Sequence, residues 1–262
     1  MKLIFIRHGE PDYNTDSLTE NGVKEAKALA KRTKDWNVTQ FYVSPLGRAN
    51  QTASYTLDTL NRTAITLDFL REFSYPIEDK TTGRIGVAWD FVPSDWTTDP
   101  NMFKLGDAFL DFKYIKDNTK IRNEYPNVIN GFDNLLKEYG YIRDGYYYRN
   151  INSEKRYLSS TVNQDNKVAY NGLFKDGDEP TLVFFCHLGV TCLILSHLLN
   201  IPFECLTHGF FIPTTGITIL SSEERWDNEA YFRVQALGDV THLLTQNVAI
   251  SPAGSFADPF QK

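Results

Sequence analysis

Two histidines each stand at the end of an apolar run, one directly after it and one a residue later. Residues 3–6 lead into Arg7-His8-Gly9-Glu10, and residues 181–186 lead into His187-Leu188-Gly189. A buried strand that stops abruptly in reactive side chains delivers them to the carboxyl edge of a sheet, where open α/β folds place ligands. If the two strands are parallel neighbours, both imidazoles meet in one pocket. Arg7 adds a fixed positive charge with forked donors that match phosphate oxygens. Arg48 lies in the first turns after a strand ending at Val43 and can point at the same edge. His187 also sits by the N-terminus of the helix that follows it, where free backbone N–H groups favour an anion. Two arginines and two histidines around a helix terminus describe a site for a dianion. A metal centre built from His8, His187, His197, His208 and Cys186 is not expected, because these residues lack Cys-x-x-Cys or His-x-x-x-His spacing. His197 and His242 read as structural, and His208 as a loop residue at the pocket rim.

The elements that must position these residues follow from periodicity. Residues 3–6 read as a buried parallel strand. Leu18, Thr19 and Glu20 introduce a helix with Val23, Ala26, Leu29 and Ala30 on one face. After a strand at 41–43, Ser44-Pro45-Leu46 predicts a helix capped by Ser44 with Pro45 in its first turn, continuing through Ala49, Ala53 and Leu57. A strand at 65–67 completes a β-α-β-α-β order, the pattern of a parallel sheet with right-handed crossovers. The alternation then lapses, with Gly83, Gly86, Trp89 and Trp96, helices near 101–115 and 127–139, and an extended or hairpin segment at 141–149. It resumes with a strand at 181–186, an apolar helix at 190–199 and strands at 216–220 and 231–234, before an irregular tail beyond Asn247. The expected fold is three-layer α/β/α, a mostly parallel sheet with helices on both faces and an inserted α-rich cap with a possible hairpin. The whole of 1–262 reads as a single domain, with core 1–73 and 181–246 and a cap at about 74–180.

The composition narrows the classes. A formal net charge of -6 argues against a general nucleic-acid binder, which would present excess Lys and Arg to phosphates. The three cysteines, Cys186, Cys192 and Cys205, are too few and clustered for a disulfide framework, which suggests a reducing interior. No stretch approaches the ~18 apolar residues of a membrane span, and the first residues lack the pattern of a secretion signal. The expectation is a cytoplasmic protein without nucleic-acid or membrane partners, its oligomeric state open.

These motifs resemble the histidine phosphatase superfamily, in its phosphoglycerate mutase-like branch. Arg7-His8-Gly9-Glu10 is similar to the opening signature of that family, and Leu18-Thr19-Glu20-Asn21-Gly22 with Ala26 to the start of its first helix. The segment from Ser44-Pro45-Leu46-Gly47-Arg48 to Ala53 resembles the one carrying its second arginine. Leu70-Arg71-Glu72 looks like the element with its acid, and His187-Leu188-Gly189 fits its second histidine. The matches fall in the family order over roughly 1–72 and 181–243. The resemblance implies that His8 is the nucleophile, forming a phosphohistidine that water then hydrolyses, with Glu72 as general acid and then base, and no cofactor. Chemistry agrees: imidazole attacks phosphorus only when neutral, and its ordinary pKa near ~6.5 permits that form at neutral pH. Phosphoryl transfer needs in-line positioning and neutralised equatorial oxygens, which Arg7, Arg48 and a protonated His187 would supply. A protonated Glu72 requires a raised pKa, which burial promotes. Asn14 aligns with a family position that often contacts the phosphoryl group, and Glu10 reads equally as a charge bracing the pocket arginines.

The resemblance leaves two reactions open. A phosphoglycerate mutase must also grip a carboxylate and retain a bisphosphate, for which the family uses extra basic residues, including an arginine pair, from its insertion. Here the insertion has isolated Arg84, Lys120, Arg122, Arg143 and Arg149 amid Tyr146, Tyr147, Tyr148, Trp89 and Trp96. That favours a phosphatase acting on a small phosphorylated metabolite, with the aromatics either packing the cap or meeting an apolar part of the substrate. The sequence departs from the family after Glu72, where Phe73-Ser74-Tyr75-Pro76 replaces a nearby glycine. A non-catalytic binding module is the third reading, and the intact set of pocket residues counts against it.

Overall fold

Alternate residues of three neighbouring strands feed two separate cores, which is why the central runs are apolar throughout. Leu3, Phe5, Tyr42, Leu182, Phe184 and Cys186 belong to one core, and Ile4, Ile6, Phe41, Val43, Val183 and Phe185 to the other. The computed structural model describes residues 1–78, 83, 85–87, 91–152, 179–224 and 228–254. Trp89 and Arg84 lie outside them.

In chain order the elements are β1 (Lys2–Arg7), β2 (Pro11–Asp12), β3 (Ser17–Leu18), α1 (Glu20–Thr33), β4 (Gln40–Val43), α2 (Gly47–Leu60) and β5 (Ala64–Thr66). There follow β6 (Pro76–Glu78), β7 (Ile85–Val87), α3 (Pro93–Trp96), α4 (Thr119–Glu138), β8 (Tyr141–Asp144) and β9 (Tyr147–Asn150). The chain returns as β10 (Thr181–Cys186), α5 (Leu188–Leu199), α6 (Phe203–Gly209), β11 (Ile217–Glu224), β12 (Glu229–Asp239) and α7 (Thr241–Thr245). The eight-stranded sheet has the order β5-β4-β10-β1-β11-β12-β9-β8. Its first four strands are parallel, and β11, β12, β9 and β8 continue it antiparallel. Side chains of α1 and α2 pack one face, those of α4, α5 and α6 the other, giving three layers. Among the described residues no helix is long and apolar enough to cross a membrane.

Several expectations change. Ser44 does not cap α2; the helix starts at Gly47 with Leu46 at the cap position. The helix expected near 101–115 is two 3-10 turns, Pro100–Phe103 and Ala108–Asp111, separated by Gly106 at φ 73. A left-handed glycine ends a helix rather than continuing it. In the other direction, α4 begins at Thr119 and runs through Pro126, so proline does not mark its start. Its buried stripe of Ile121, Val128, Ile129, Phe132, Leu135 and Leu136 and its Asn118 cap outweigh the hydrogen bond that proline removes. The segment at 141–149 is a hairpin turning at Gly145, which has φ 59. It does not lie over the sheet: Arg149 pairs with Glu229, extending the sheet at the far edge from β1.

Candidate active site

The β1 and β10 register places Arg7 beside Cys186, so the next residue of each strand is a histidine. The His8 N–H donates to the Cys186 carbonyl at 2.9 Å, and the two imidazole centroids stand 5.0 Å apart. Both side chains are almost fully buried. His8 Nδ1 lies 2.7 Å from the Gly9 carbonyl oxygen. A carbonyl can only accept, so Nδ1 carries the hydrogen and Nε2 keeps its lone pair. Burial, together with the Arg7 charge, pushes the His8 pKa down to about 3. The imidazole is neutral at neutral pH.

The arginines are fixed from behind. Arg7 Nη1 donates to the Ile212 carbonyl at 2.6 Å and Nη2 to that of Ala253 at 3.5 Å, beneath the Phe211 ring. Arg48 Nη1 pairs with Asp16 Oδ1 at 2.5 Å, while Asp16 Oδ2 accepts the Gly47 N–H at 2.6 Å. Burial works against ionising Asp16, yet Gly47 and Arg48 hold its carboxyl below the usual range. Each guanidinium keeps a buried Nε without a protein partner. Buried donors are normally satisfied, so these two nitrogens fit an oxyanion.

His187 departs from expectation in its charge. Its pKa is well below the ordinary value through burial and the neighbouring His8, Arg48 and Arg7, so the ring is neutral rather than cationic. Its Nε2 is 2.8 Å from the fully buried Ser44 Oγ.

The N-terminus of α5 holds a carboxyl of the protein itself. Glu72 Oε1 accepts from the backbone N–H groups of Gly189 at 2.9 Å and Val190 at 3.2 Å. Burial nevertheless raises the Glu72 pKa, outweighing Arg7, Val190, Arg48 and Gly189. A carboxyl whose Oε1 already accepts two hydrogen bonds takes its proton on Oε2.

Thus Arg7, His8, Arg48, Glu72 and His187 meet at one edge. Asn14 does not join them by any described contact; it is exposed in the turn between β2 and β3, its backbone N–H donating to Asp12. Glu10 accepts from Thr19 Oγ1 at 2.8 Å and Asn21 Nδ2 at 3.0 Å, bracing α1 rather than the arginines. His208 lies in α6, stacked on Trp96 at 4.7 Å and 3.3 Å from the Glu204 carboxylate. His197 contacts Asp133 and His242 contacts Thr215. Tyr148 is buried against Asp133 and Tyr147 bonds Asp144, so these rings serve the sheet edge. The sequence does not reveal the pocket contacts of Asp16, Ser44 and the Gly189 N–H. Ser44 carried a signal read as a helix cap; Asp16, at φ 50 in a polar turn, carried none. Among the described residues no three potential ligands cluster to hold a metal ion.

Residues 3–112 match the model of the histidine phosphatase superfamily (branch 1). Over that stretch the chain is similar to the histidine phosphatase superfamily. The chain is 36% identical over 73 residues to a 2,3-bisphosphoglycerate-dependent phosphoglycerate mutase of Thermoplasma acidophilum, a match covering 24% of this chain and 36% of that protein. It is 34% identical over 83 residues to a probable phosphoglycerate mutase of Yersinia pestis, covering 28% and 39%. The matched stretch therefore spans well under half of these relatives. Across the fold, the chain resembles an Entamoeba histolytica phosphoserine phosphatase mutant crystallised with phosphoserine, with TM-score 0.54, 19% identity and 92% and 98% of the two chains covered. A mycobacterial glucosyl-3-phosphoglycerate phosphatase matches with TM-score 0.52, 17% identity and 90% and 98% covered.

Proposed function

We propose that this protein hydrolyses phosphomonoesters of small metabolites through a phosphohistidine at His8. The observation that carries the reading is the His8 Nε2 lone pair, fixed by the Gly9 carbonyl on Nδ1 beside two arginines with unpaired Nε donors. In the first half-reaction Nε2 forms a bond to phosphorus as the ester P–O bond breaks. The Glu72 proton passes to the departing oxygen, while Arg7, Arg48 and His187 hold the equatorial oxygens. In the second, Glu72 takes a proton from water, whose oxygen bonds phosphorus as the P–N bond breaks, releasing orthophosphate.

The catalytic core is drawn from 1–73 and 181–246, with 74–180 as the insertion that selects the substrate. Hydrolysis is favoured over mutase chemistry because three described cations of the insertion pair with carboxylates of the insertion itself: Lys113 with Asp95, Arg122 with Asp111 and Arg149 with Asp144. The free cysteines fit a reducing, cytoplasmic setting.

The test is rapid quenching during p-nitrophenyl phosphate turnover, with mapping of an acid-labile phosphoryl group. Label on His8, and loss of label and turnover in His8→Ala, is expected. Folded wild-type protein without turnover across the neutral range would sink the hydrolase reading. Formation of 2-phosphoglycerate from 3-phosphoglycerate after priming with the bisphosphate would assign the mutase reaction instead. A panel of phosphorylated metabolites ranked by turnover then identifies the substrate.

A further inference from the structure

We infer that Ser44 is a positioning residue that fixes the tautomer of His187, making Nδ1–H the donor offered to the phosphoryl group. The inference rests on the proposed function for the identity of the acceptor, but its geometry stands independently. Ser44 follows β4, its N–H held by the Phe185 carbonyl at 2.9 Å and its own carbonyl accepting from Asn50 Nδ2 at 2.7 Å. The hydroxyl oxygen is thereby pinned 2.8 Å from His187 Nε2.

Two tautomers have to be compared. If Nε2 carried the hydrogen, Ser44 Oγ would accept from it as well as from the Leu46 N–H at 3.3 Å. The hydroxyl hydrogen of a fully buried serine would then have no acceptor among the described contacts, which is costly. If Nε2 is bare, the hydroxyl donates to it and still accepts from Leu46, so every polar atom of Ser44 is used. The proton then sits on Nδ1, the buried ring atom without a protein partner. A neutral donor suits this position, because the ring is flanked by Arg7, Arg48 and His8, and an imidazolium there would face like charge. The second histidine therefore acts as an oriented dipole, and the two arginines supply the positive charge.

Labelled histidine NMR of the free full-length protein tests this, since ring 15N shifts separate a protonated from a bare nitrogen. Wild type is expected to show His187 with Nδ1 protonated and Nε2 bare at neutral pH. An Nε2–H tautomer or an imidazolium overturns the inference without a variant. Ser44→Ala should release the tautomer and lower kcat/KM about tenfold, and Ser44→Thr, which keeps the hydroxyl, should restore both. Unchanged tautomer and unchanged kcat/KM in Ser44→Ala would also overturn it. A wild-type Nδ1–H signal in a protein without phosphatase turnover would remove the proposed function and leave the tautomer assignment intact.

Discussion

Glu72 and Gly189 are joined by a 2.9 Å hydrogen bond from the backbone N–H that opens α5 to the carboxylate on the segment after β5. The helix that begins beside His187 thus holds the carboxyl proposed as general acid at its positive end. A helix terminus lowers the pKa of such a group, yet burial prevails and Glu72 is raised above its ordinary value. That balance suits a group that must release a proton and later recover one.

Glu72→Gln should separate the two half-reactions. With p-nitrophenyl phosphate, whose leaving group needs no proton, the variant should release a burst of nitrophenol and then turn over about 10²-fold more slowly, because the base for water is gone. With an alkyl phosphate it should show no burst. Equal losses on both substrates, without accumulated phosphoenzyme, would remove Glu72 from proton transfer.

Neither pocket imidazole should titrate in the ordinary histidine range. His8 is pushed down to about 3 and His187 is also well below its ordinary value, each chiefly by burial. A group depressed in this way stays neutral as pH falls, and protonating it works against the folded state below the ordinary imidazole value of ~6.5. Two-dimensional NMR should show both rings neutral, each with one N–H, through the range in which an ordinary histidine titrates. Vanadate, by adding negative charge, should raise the His187 value. A His8 titration near ~6.5 in the free protein would contradict the desolvated pocket.

The parts legible in sequence were those written in local pattern. Strands at 2–7 and 181–186 announce themselves as apolar runs, and their abrupt ends in Arg7-His8 and His187 mark the sheet edge. The contacts that tune the pocket are long-range and leave no such mark. Asp16 reaches Arg48 across a polar turn, and Glu72 reaches Gly189 from 117 residues away. Ser44 illustrates the ambiguity: a serine before proline signals a cap, yet here the hydroxyl faces the histidine that follows a neighbouring strand. The segment at 141–149 was legible as extended or hairpin, but its partner β12 was not, since pairing depends on register across the sheet.

Glu25 should make stability fall as pH rises. Its fully buried carboxyl accepts from the Glu10 N–H at 2.7 Å and Thr214 Oγ1 at 2.7 Å, and burial raises its pKa from 4.5 to about 7, with the Glu10 charge adding to the rise. Between those values the unfolded chain has lost the proton that the folded chain retains, so unfolding becomes easier with increasing pH, by roughly 3 kcal/mol over the window. Glu25→Gln cannot ionise. Thermal melts should show the variant gaining on wild type from pH 5 to pH 8, about the window between the two values. A constant difference would mean that Glu25 is already ionised in the fold.

Gly22→Ala should disturb the site through the backbone. Gly22 lies in the first turn of α1, its N–H donating to the Thr19 cap at 3.0 Å. A Cβ built on it would stand 2.3 Å from the Glu10 carbonyl oxygen and 2.9 Å from the Glu10 nitrogen. Those atoms belong to the turn that follows His8, so relief of the clash pushes that turn off α1 and loosens the Gly9 carbonyl that holds His8 Nδ1. Overpacking of this kind costs about 1–3 kcal/mol, and kcat should fall beyond what the lost folded fraction accounts for. Gly209→Ala is the control, because an added Cβ there meets nothing within 4 Å. It should melt within about 0.5 kcal/mol of wild type. If Gly22→Ala matches that control in stability and turnover, α1 does not buttress the Arg7-His8-Gly9-Glu10 turn.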